Sequence, residues 1–365
     1  MDGVKVVVSG CGTITEFQHL PALVQLQSQG LVTIAGLADP SPERLAICSK
    51  LTGKLATFAN LQDALTALRP DYVVVCSPAA FHYEQTLSAL RSGAHVLCEK
   101  PFALKSQDCE ELIEEAQKLG RVLSVGFMRR FYPSVQTIRS VIKEQVLGAP
   151  RSFIIEEGSP FVWPVKSTHQ FQRQFGGGVL ADSGSHIFDF LLWWLGDLEL
   201  LEYQDDALVG TEANCLIKLR AANGVTGTVR LSRETLLPNR YVIHCERGWV
   251  TFQYDSPDQM LWGWENAPAE ARVTLADPNE GRYLWTAPDD SRRVPHSLIS
   301  YFIAEHRNLI GAIRGEEEVL VSPEDAAKGI ALIEQCYAAK RLLEMPWLDQ
   351  TEAQRVQALS TRSQQ

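Results

Sequence analysis

Two hydrophobic rhythms divide this chain. From Val4 to Val125, short continuous apolar runs alternate with amphipathic stretches. Val4–Ser9, Leu31–Ala38, Tyr72–Cys76, His95–Cys98 and Val122–Val125 read as strands. Tyr72-Val-Val-Val-Cys76 has no polar face, the pattern of a strand covered on both sides. Between these runs, Glu16–Ser28, Pro42–Leu51, Leu61–Leu68, Tyr83–Ser92 and Gln107–Leu119 carry helical spacing, and Gly93 and Gly120 act as stops. Strand and helix in alternation predict a doubly wound parallel sheet.

After Gly126 the rhythm changes. Arg129–Gln145 predicts one helix, followed by strand-like runs at Ser152–Glu156, Asn214–Leu219, Gly224–Leu231, Arg240–Cys245 and Trp249–Tyr254. Asn223-Gly224 and Arg247-Gly248 suit hairpin turns, so this sheet is expected to be mostly antiparallel. Residues 256–295 read as loops with short strands, and Ser300–Arg314 and Pro323–Leu343 as helices. Ser322, Pro323, Glu324 and Asp325 form the N-terminal signature of the second of these. The fold class expected is therefore α/β: a doubly wound dinucleotide-binding domain over 1–125, an α+β domain with a large open sheet over 126–350, and a polar tail over 351–365.

Composition narrows the functions open to this fold. The chain has 365 residues and a formal net charge of −10, which weighs against broad nucleic-acid or anionic-membrane binding. No apolar run reaches membrane-spanning length, and the opening Met-Asp-Gly-Val-Lys is not expected to be a signal peptide. The eight cysteines form no C-x-x-C pair, so buried thiols in a reducing, cytoplasmic setting are expected.

Gly10-Cys-Gly12-Thr13-Ile14-Thr15 sits between the first strand and first helix. Two glycines permit a tight turn and a close approach of backbone N–H groups to a pyrophosphate, helped by the helix N-terminus. Thr15 stands where a third glycine is common. Asp39 ends the second strand, where a carboxylate accepts ribose hydroxyls and repels a 2′-phosphate. NAD is therefore expected in preference to NADP, although Arg44 stands close enough to receive a phosphate.

Lys100 follows a strand and precedes Pro101, at the carboxyl edge where such sheets hold ligands. A lysine there can polarise a substrate oxygen. Asp182 and His186 are four apart behind Gly176-Gly177-Gly178, so a helix presents them on one face, with Asp189 one turn beyond His186. A histidine can move a hydroxyl proton near neutral pH. No third ligand accompanies this pair, so no metal is expected.

Together these motifs resemble the glucose–fructose oxidoreductase / inositol dehydrogenase (Gfo/Idh/MocA) family. The resemblance is carried by Gly10-x-Gly12 with His19-x-Pro21, Cys76-Ser77-Pro78 with His82, Glu99-Lys100-Pro101, Gly126-Phe-Met-Arg-Arg-Phe131 and Gly176-Gly-Gly…Asp182…His186. It implies a Rossmann domain, an open-sheet domain often used for homodimer or homotetramer formation, NAD or NADP as cofactor, and a sugar, inositol or related polyol as substrate. By the same carry-over, Lys100, Asp182 and His186 form a catalytic trio. Gly10, Gly12, Thr13, Ile14, Asp39, Ser77, Pro78, His82, Glu99 and Lys100 itself lie along the cofactor. Arg129, Tyr132, Trp163 and His169 are candidate substrate contacts. Three activities fit: a sugar or cyclitol dehydrogenase, a glycosidase that oxidises transiently at C3 on a retained NAD, and a non-catalytic sensor. The sensor fits least, since Lys100 and His186 are both present.

Overall fold

The computed structural model describes residues 3–53, 55–162, 168–265, 270–275, 298–344, 351–352 and 354–355. They form two compact units. One holds the described residues of Met1–Phe131, Val162–Ser167 and Asp277–Ile330; the other holds those of Tyr132–Phe161, Thr168–Ala276 and Ala331–Gln365.

In chain order the elements begin β1 (Val4–Ser9), α1 (Leu20–Ser28), β2 (Val32–Ala38), α2 (Pro42–Thr52), β3 (Ala56–Phe58), α3 (Leu61–Leu68), β4 (Tyr72–Val75) and α4 (His82–Arg91). Next come β5 (His95–Glu99), α5 (Ser106–Leu119), β6 (Leu123–Gly126), α6 (Pro133–Lys143), β7 (Pro150–Gly158) and α7 (Ser185–Leu195). The strands β8 (Leu198–Asp205), β9 (Asn214–Ala221), β10 (Thr226–Ser232), β11 (Arg240–Cys245), β12 (Gly248–Gln253), β13 (Ser256–Trp264) and β14 (Glu270–Thr274) follow. Last are α8 (Ile299–Ile313), α9 (Pro323–Ala338) and β15 (Arg341–Leu342).

In the first unit the sheet order is β3-β2-β1-β4-β5-β6, with the strands parallel. The winding reverses between β1 and β4, so the loops leaving those two strands diverge and leave a crevice at their carboxyl ends. Val6, Val7, Val8 and Tyr72–Val75 are fully buried. Each such valine contributes roughly 1.5–3 kcal/mol by leaving water. Helix α8, distant in sequence, packs on α1 in this unit.

The second unit is built on a mixed sheet of order β14-β13-β12-β11-β7-β10-β9-β8-β15. β7 pairs parallel with β10 and antiparallel with β11. Phe153, Ile155, Ile217, Leu219, Tyr241 and Ile243 are buried, whereas Ile154, Leu201 and Trp264 remain exposed. Within this unit α6 packs on α7, and the Trp194 indole donates to the Val135 carbonyl at 3.0 Å. Arg139 lies 4.2 Å over the Trp193 ring.

Four expectations need correction. The helix expected over Pro323–Leu343 stops at Ala338, and Arg341–Leu342 forms β15 beside β8. Glu16–Ser28 is not one helix: a wider π-helical turn spans Thr15–His19 before α1. Pro21 lacks an N–H and its ring crowds the carbonyl four residues earlier, which favours that widening. Arg129–Gln145 also splits, into a 3-10 turn at Met128–Phe131 and α6. Tyr132 is extended because the residue before Pro133 is pushed out of the helical region. Finally β8 was absent from the pattern, because Glu199, Glu202 and Asp205 interrupt its apolar alternation.

Candidate functional site

The first half of the site is the turn after β1. Gly10 has φ +93°, and a Cβ there would fall 2.6 Å from the Cys76 carbonyl carbon and the Ser77 nitrogen. Only glycine fits this approach to the loop after β4. A Cβ on Gly12 would meet nothing within 4 Å, so the opposite side of the turn is open. Thr15 takes over the work of a third glycine by closing the turn, its hydroxyl donating to the Gly10 carbonyl at 2.6 Å. Asp39 secures the same turn from β2: Oδ2 accepts the Cys11 amide at 2.7 Å and Oδ1 accepts the Ser41 amide at 2.8 Å. Arg44 is already engaged, donating to the Cys11 carbonyl at 2.7 Å and to Glu16 at 2.6 Å. A backbone cradle with an open side and a carboxylate at the end of β2 fits a dinucleotide.

The end of β5 supplies the second half. Glu99 is buried, and its Oε2 accepts the Lys100 amide at 3.0 Å. The Lys100–Pro101 bond is cis. His82 braces this turn against the loop after β4, with Nδ1 2.8 Å from the Pro101 carbonyl and Nε2 2.7 Å from the Ser77 carbonyl. Burial pushes His82 below its ordinary pKa despite these carbonyls. Glu99, Lys100, Ser77, Pro78 and His82 thus belong to one cluster of loops in the first unit.

Asp182 and His186 belong to the second unit. Asp182 lies in a π-helical turn over Leu180–Gly184, and His186 in the first turn of α7. Arg233 donates to Asp182 Oδ2 at 2.6 Å and to the Gln170 carbonyl at 3.2 Å, with its guanidinium 5.2 Å over Phe161. His186 and Asp189 are both buried. Behind the glycines, Glu212 Oε1 accepts the Leu180 amide at 2.9 Å. Arg173 donates to Glu212 at 3.3 Å and stacks 4.0 Å over Tyr337. Burial pushes the Glu212 carboxyl up, against the opposing pull of the Leu180 amide and Arg173. Gly178, at φ +117°, lies so close to Glu212 that a Cβ would overlap its Oε1.

The substrate candidates fall in different settings. Arg129 and Tyr132 are buried, and His169 packs 4.3 Å from the Phe175 ring. Trp163 lies outside the described residues. Arg130, fully buried, donates to Asp325 and to the Leu320 carbonyl, each at 3.0 Å, inside the first unit. Sequence reasoning missed Arg233 and Glu212. Their partners are 51 and 32 residues away, and no local motif announces such pairs.

Residues 4–127 match the oxidoreductase family with an NAD-binding Rossmann fold, and residues 135–251 match the GFO/IDH/MocA C-terminal domain. The chain belongs to the Gfo/Idh/MocA oxidoreductase family. One relative, D-glucoside 3-dehydrogenase of Escherichia coli (strain K12), is 31% identical over 217 residues, covering 58% of this chain and 60% of that protein. The chain thus spans three-fifths of that relative's length in the match. D-apiose dehydrogenase of Paraburkholderia graminis is 24% identical over 98% of this chain and 93% of its own. A 3-ketoreductase of Actinomadura kijaniata, solved with NADP and TDP-benzene, shares the fold with a TM-score of 0.77 at 23% identity, covering 94% of this chain and all of that one. In this Gfo/Idh/MocA oxidoreductase the Rossmann match covers the Gly10–Gly12 turn and Asp39.

Proposed function

We propose that this protein is an NAD(H)-dependent dehydrogenase or reductase acting on a secondary alcohol or ketone of a sugar, inositol or related polyol. The observation that carries this reading is the coexistence of the Gly10–Asp39 cradle with Glu99-Lys100-Pro101 and Asp182…His186 in one family member. The main chain of Gly10, Gly12, Thr13 and Ile14 would hold the pyrophosphate, and Asp39 the adenosine ribose. Ser77, Pro78, His82 and Glu99 would line the remainder. When bound, the nicotinamide takes up or returns the hydride.

The chain's own residues handle the oxygen and its proton. Lys100 polarises the substrate oxygen. His186 accepts the hydroxyl proton on oxidation and returns it on reduction. Asp182, held by Arg233, orients and stabilises the substrate. Arg129, Tyr132, Trp163 and His169 are the proposed substrate contacts. Relatives named as dehydrogenases and reductases support net hydride transfer over a glycosidase that retains its NAD.

We further propose a homodimer or homotetramer through the half-exposed face of the large sheet, where Ile154 and Leu201 are uncovered. A cytoplasmic setting suits eight cysteines that are all free and buried. No described helix is long and apolar enough to cross a membrane. The deciding experiment follows reduced-nicotinamide absorbance on purified protein with NAD or NADP and a panel of sugars, inositols, uronic acids and nucleotide sugars. Growth of the signal with a sugar or cyclitol is expected. Its absence, with turnover of a glycoside on tightly retained cofactor, would replace this reading by the glycosidase.

A further inference from the structure

A second polar system lies beneath the Glu99-Lys100 turn, wholly inside the first unit. His19 Nε2 is 2.9 Å from Glu99 Oε1, and His19 Nδ1 is 3.1 Å from His306 Nε2. His306 Nδ1 in turn meets the Tyr72 hydroxyl. His19, His306 and Tyr72 are fully buried, and none was assigned a role above.

The directions of these bonds follow from elementary bookkeeping. A neutral imidazole has one N–H donor and one acceptor nitrogen. Burial, with His19 beside it, pushes His306 well below its ordinary pKa, so it is neutral. Burial, with Glu305 nearby, pushes the Tyr72 phenol up, so it keeps its proton. The Tyr72 O–H therefore donates to His306 Nδ1, His306 Nε2–H to His19 Nδ1, and His19 Nε2–H to Glu99 Oε1. Every donor finds one acceptor. Run the other way, the Tyr72 hydroxyl would have to accept from His306, and its own proton would need a different acceptor. Glu305 is buried, neither carboxyl oxygen has a hydrogen-bond partner, and burial followed by the charge on Glu99 pushes it well above the ordinary carboxylate range. Glu305 therefore carries a proton. The chain ends at a buried phenol, so it conducts no proton to water and acts as a fixed strut.

We propose that His19, backed by His306 and Tyr72, is a positioning residue: it clamps Glu99 Oε1 so that Oε2 fixes the Lys100 amide and thereby aims Lys100 at the reacting oxygen. The inference rests on the catalytic reading of Lys100 given above. Geometry of this kind matters because displacement of a catalytic group by about 1 Å can cost about 100-fold in rate.

The test uses the full-length protein. His19→Leu should lower kcat about 10- to 100-fold with KM and NAD(H) affinity unchanged. His19→Gln, whose amide can still donate to Glu99, should recover most of that loss. Unchanged kcat in His19→Leu, or a loss that His19→Gln fails to recover, overturns the proposal. Nitrogen NMR of the imidazoles in cofactor-free protein gives a readout independent of activity. His306 should be neutral with the proton on Nε2 at neutral pH; an imidazolium or an Nδ1-protonated ring at His306 overturns it. Lys100→Ala separates the two readings. If that variant keeps full turnover, the assignment of Lys100 itself fails. If it is inactive while His19→Leu is fully active, only the strut fails.

Discussion

Arg233 holds Asp182 at 2.6 Å, and the arginine side chain is the more buried of the two, at 10% exposure against 34%. The guanidinium is anchored by the Gln170 carbonyl and the Phe161 ring, so the pair is aimed from the arginine side. Arg233→Met should lower kcat by about 10- to 100-fold through loss of that aim. Arg233→Lys, a point charge without the planar fork, should recover part of it. Steady-state kinetics on the two variants decide. Equal activity in Arg233→Met would mean that Asp182 needs no orientation.

Lys100→Ala and His186→Ala should each cut turnover about 10²–10⁴-fold while leaving NAD(H) affinity nearly intact. Calorimetric binding beside turnover measures both quantities. Full activity in either variant would remove it from the proposed trio.

Asp39→Ala should shift preference from NAD towards NADP by about 1.5–3 kcal/mol, through loss of charged hydrogen bonds to the ribose and of repulsion against a 2′-phosphate. The same change frees the Cys11 and Ser41 amides, so affinity for both cofactors should fall as well. The ratio of kcat/KM values is the measurement, and an unchanged ratio would exclude Asp39 from the ribose contact.

Gly178→Ala should destabilise the second unit by at least about 1–3 kcal/mol, because its φ of +117° disfavours any side chain and the new methyl overlaps Glu212. A fall in Tm is expected. Measured against Glu212→Ala alone, which already loses the acceptor of the Leu180 amide and of Arg173, Gly178→Ala should then cost only the backbone term.

Glu305→Gln should change how stability depends on pH. In the folded protein burial and Glu99 raise the Glu305 carboxyl above its unfolded value, so the native state binds a proton that the unfolded state releases. The group therefore costs stability as pH rises from the ordinary carboxylate range towards its folded value, at about 1.4 kcal/mol per pH unit. Removing it should make the variant gain on the natural protein as pH rises above the ordinary carboxylate range. Thermal melts at several pH values check the sign. A difference that stays constant with pH would show that Glu305 does not hold that proton.

The parts of this molecule that were legible in sequence have local causes. Valines running from Val73 to Val75 with no polar face signal a covered strand, and a glycine pair between strand and helix signals a backbone turn. Pro21 and Pro133 were visible too, but their consequences were under-read: each interrupts a helix that amphipathic spacing alone would continue. The three residues of β3 were too short to show a period. What stayed hidden depends on distance along the chain. His19 meets His306 across 287 positions, and Arg233 meets Asp182 across 51. A lone histidine in a C-terminal helix carries no mark of a partner near the N-terminus. Only the fold supplies that pairing.

The parallel seam between β7 and β10 also constrains how the second unit forms. Ser152 must wait for Thr226, and Gly158 for Ser232, before the centre of the sheet exists. The neighbouring β9–β10 and β11–β12 hairpins close over short loops and can form early. They have nothing to join, however, until β7 slots between them. Long-range pairing of this kind slows a search dominated otherwise by local contacts. During synthesis β7 is left as an unpaired edge while α7, β8 and β9 are still being made. The slow step in maturation of this protein is therefore expected to be insertion of one strand, at the seam farthest from any turn.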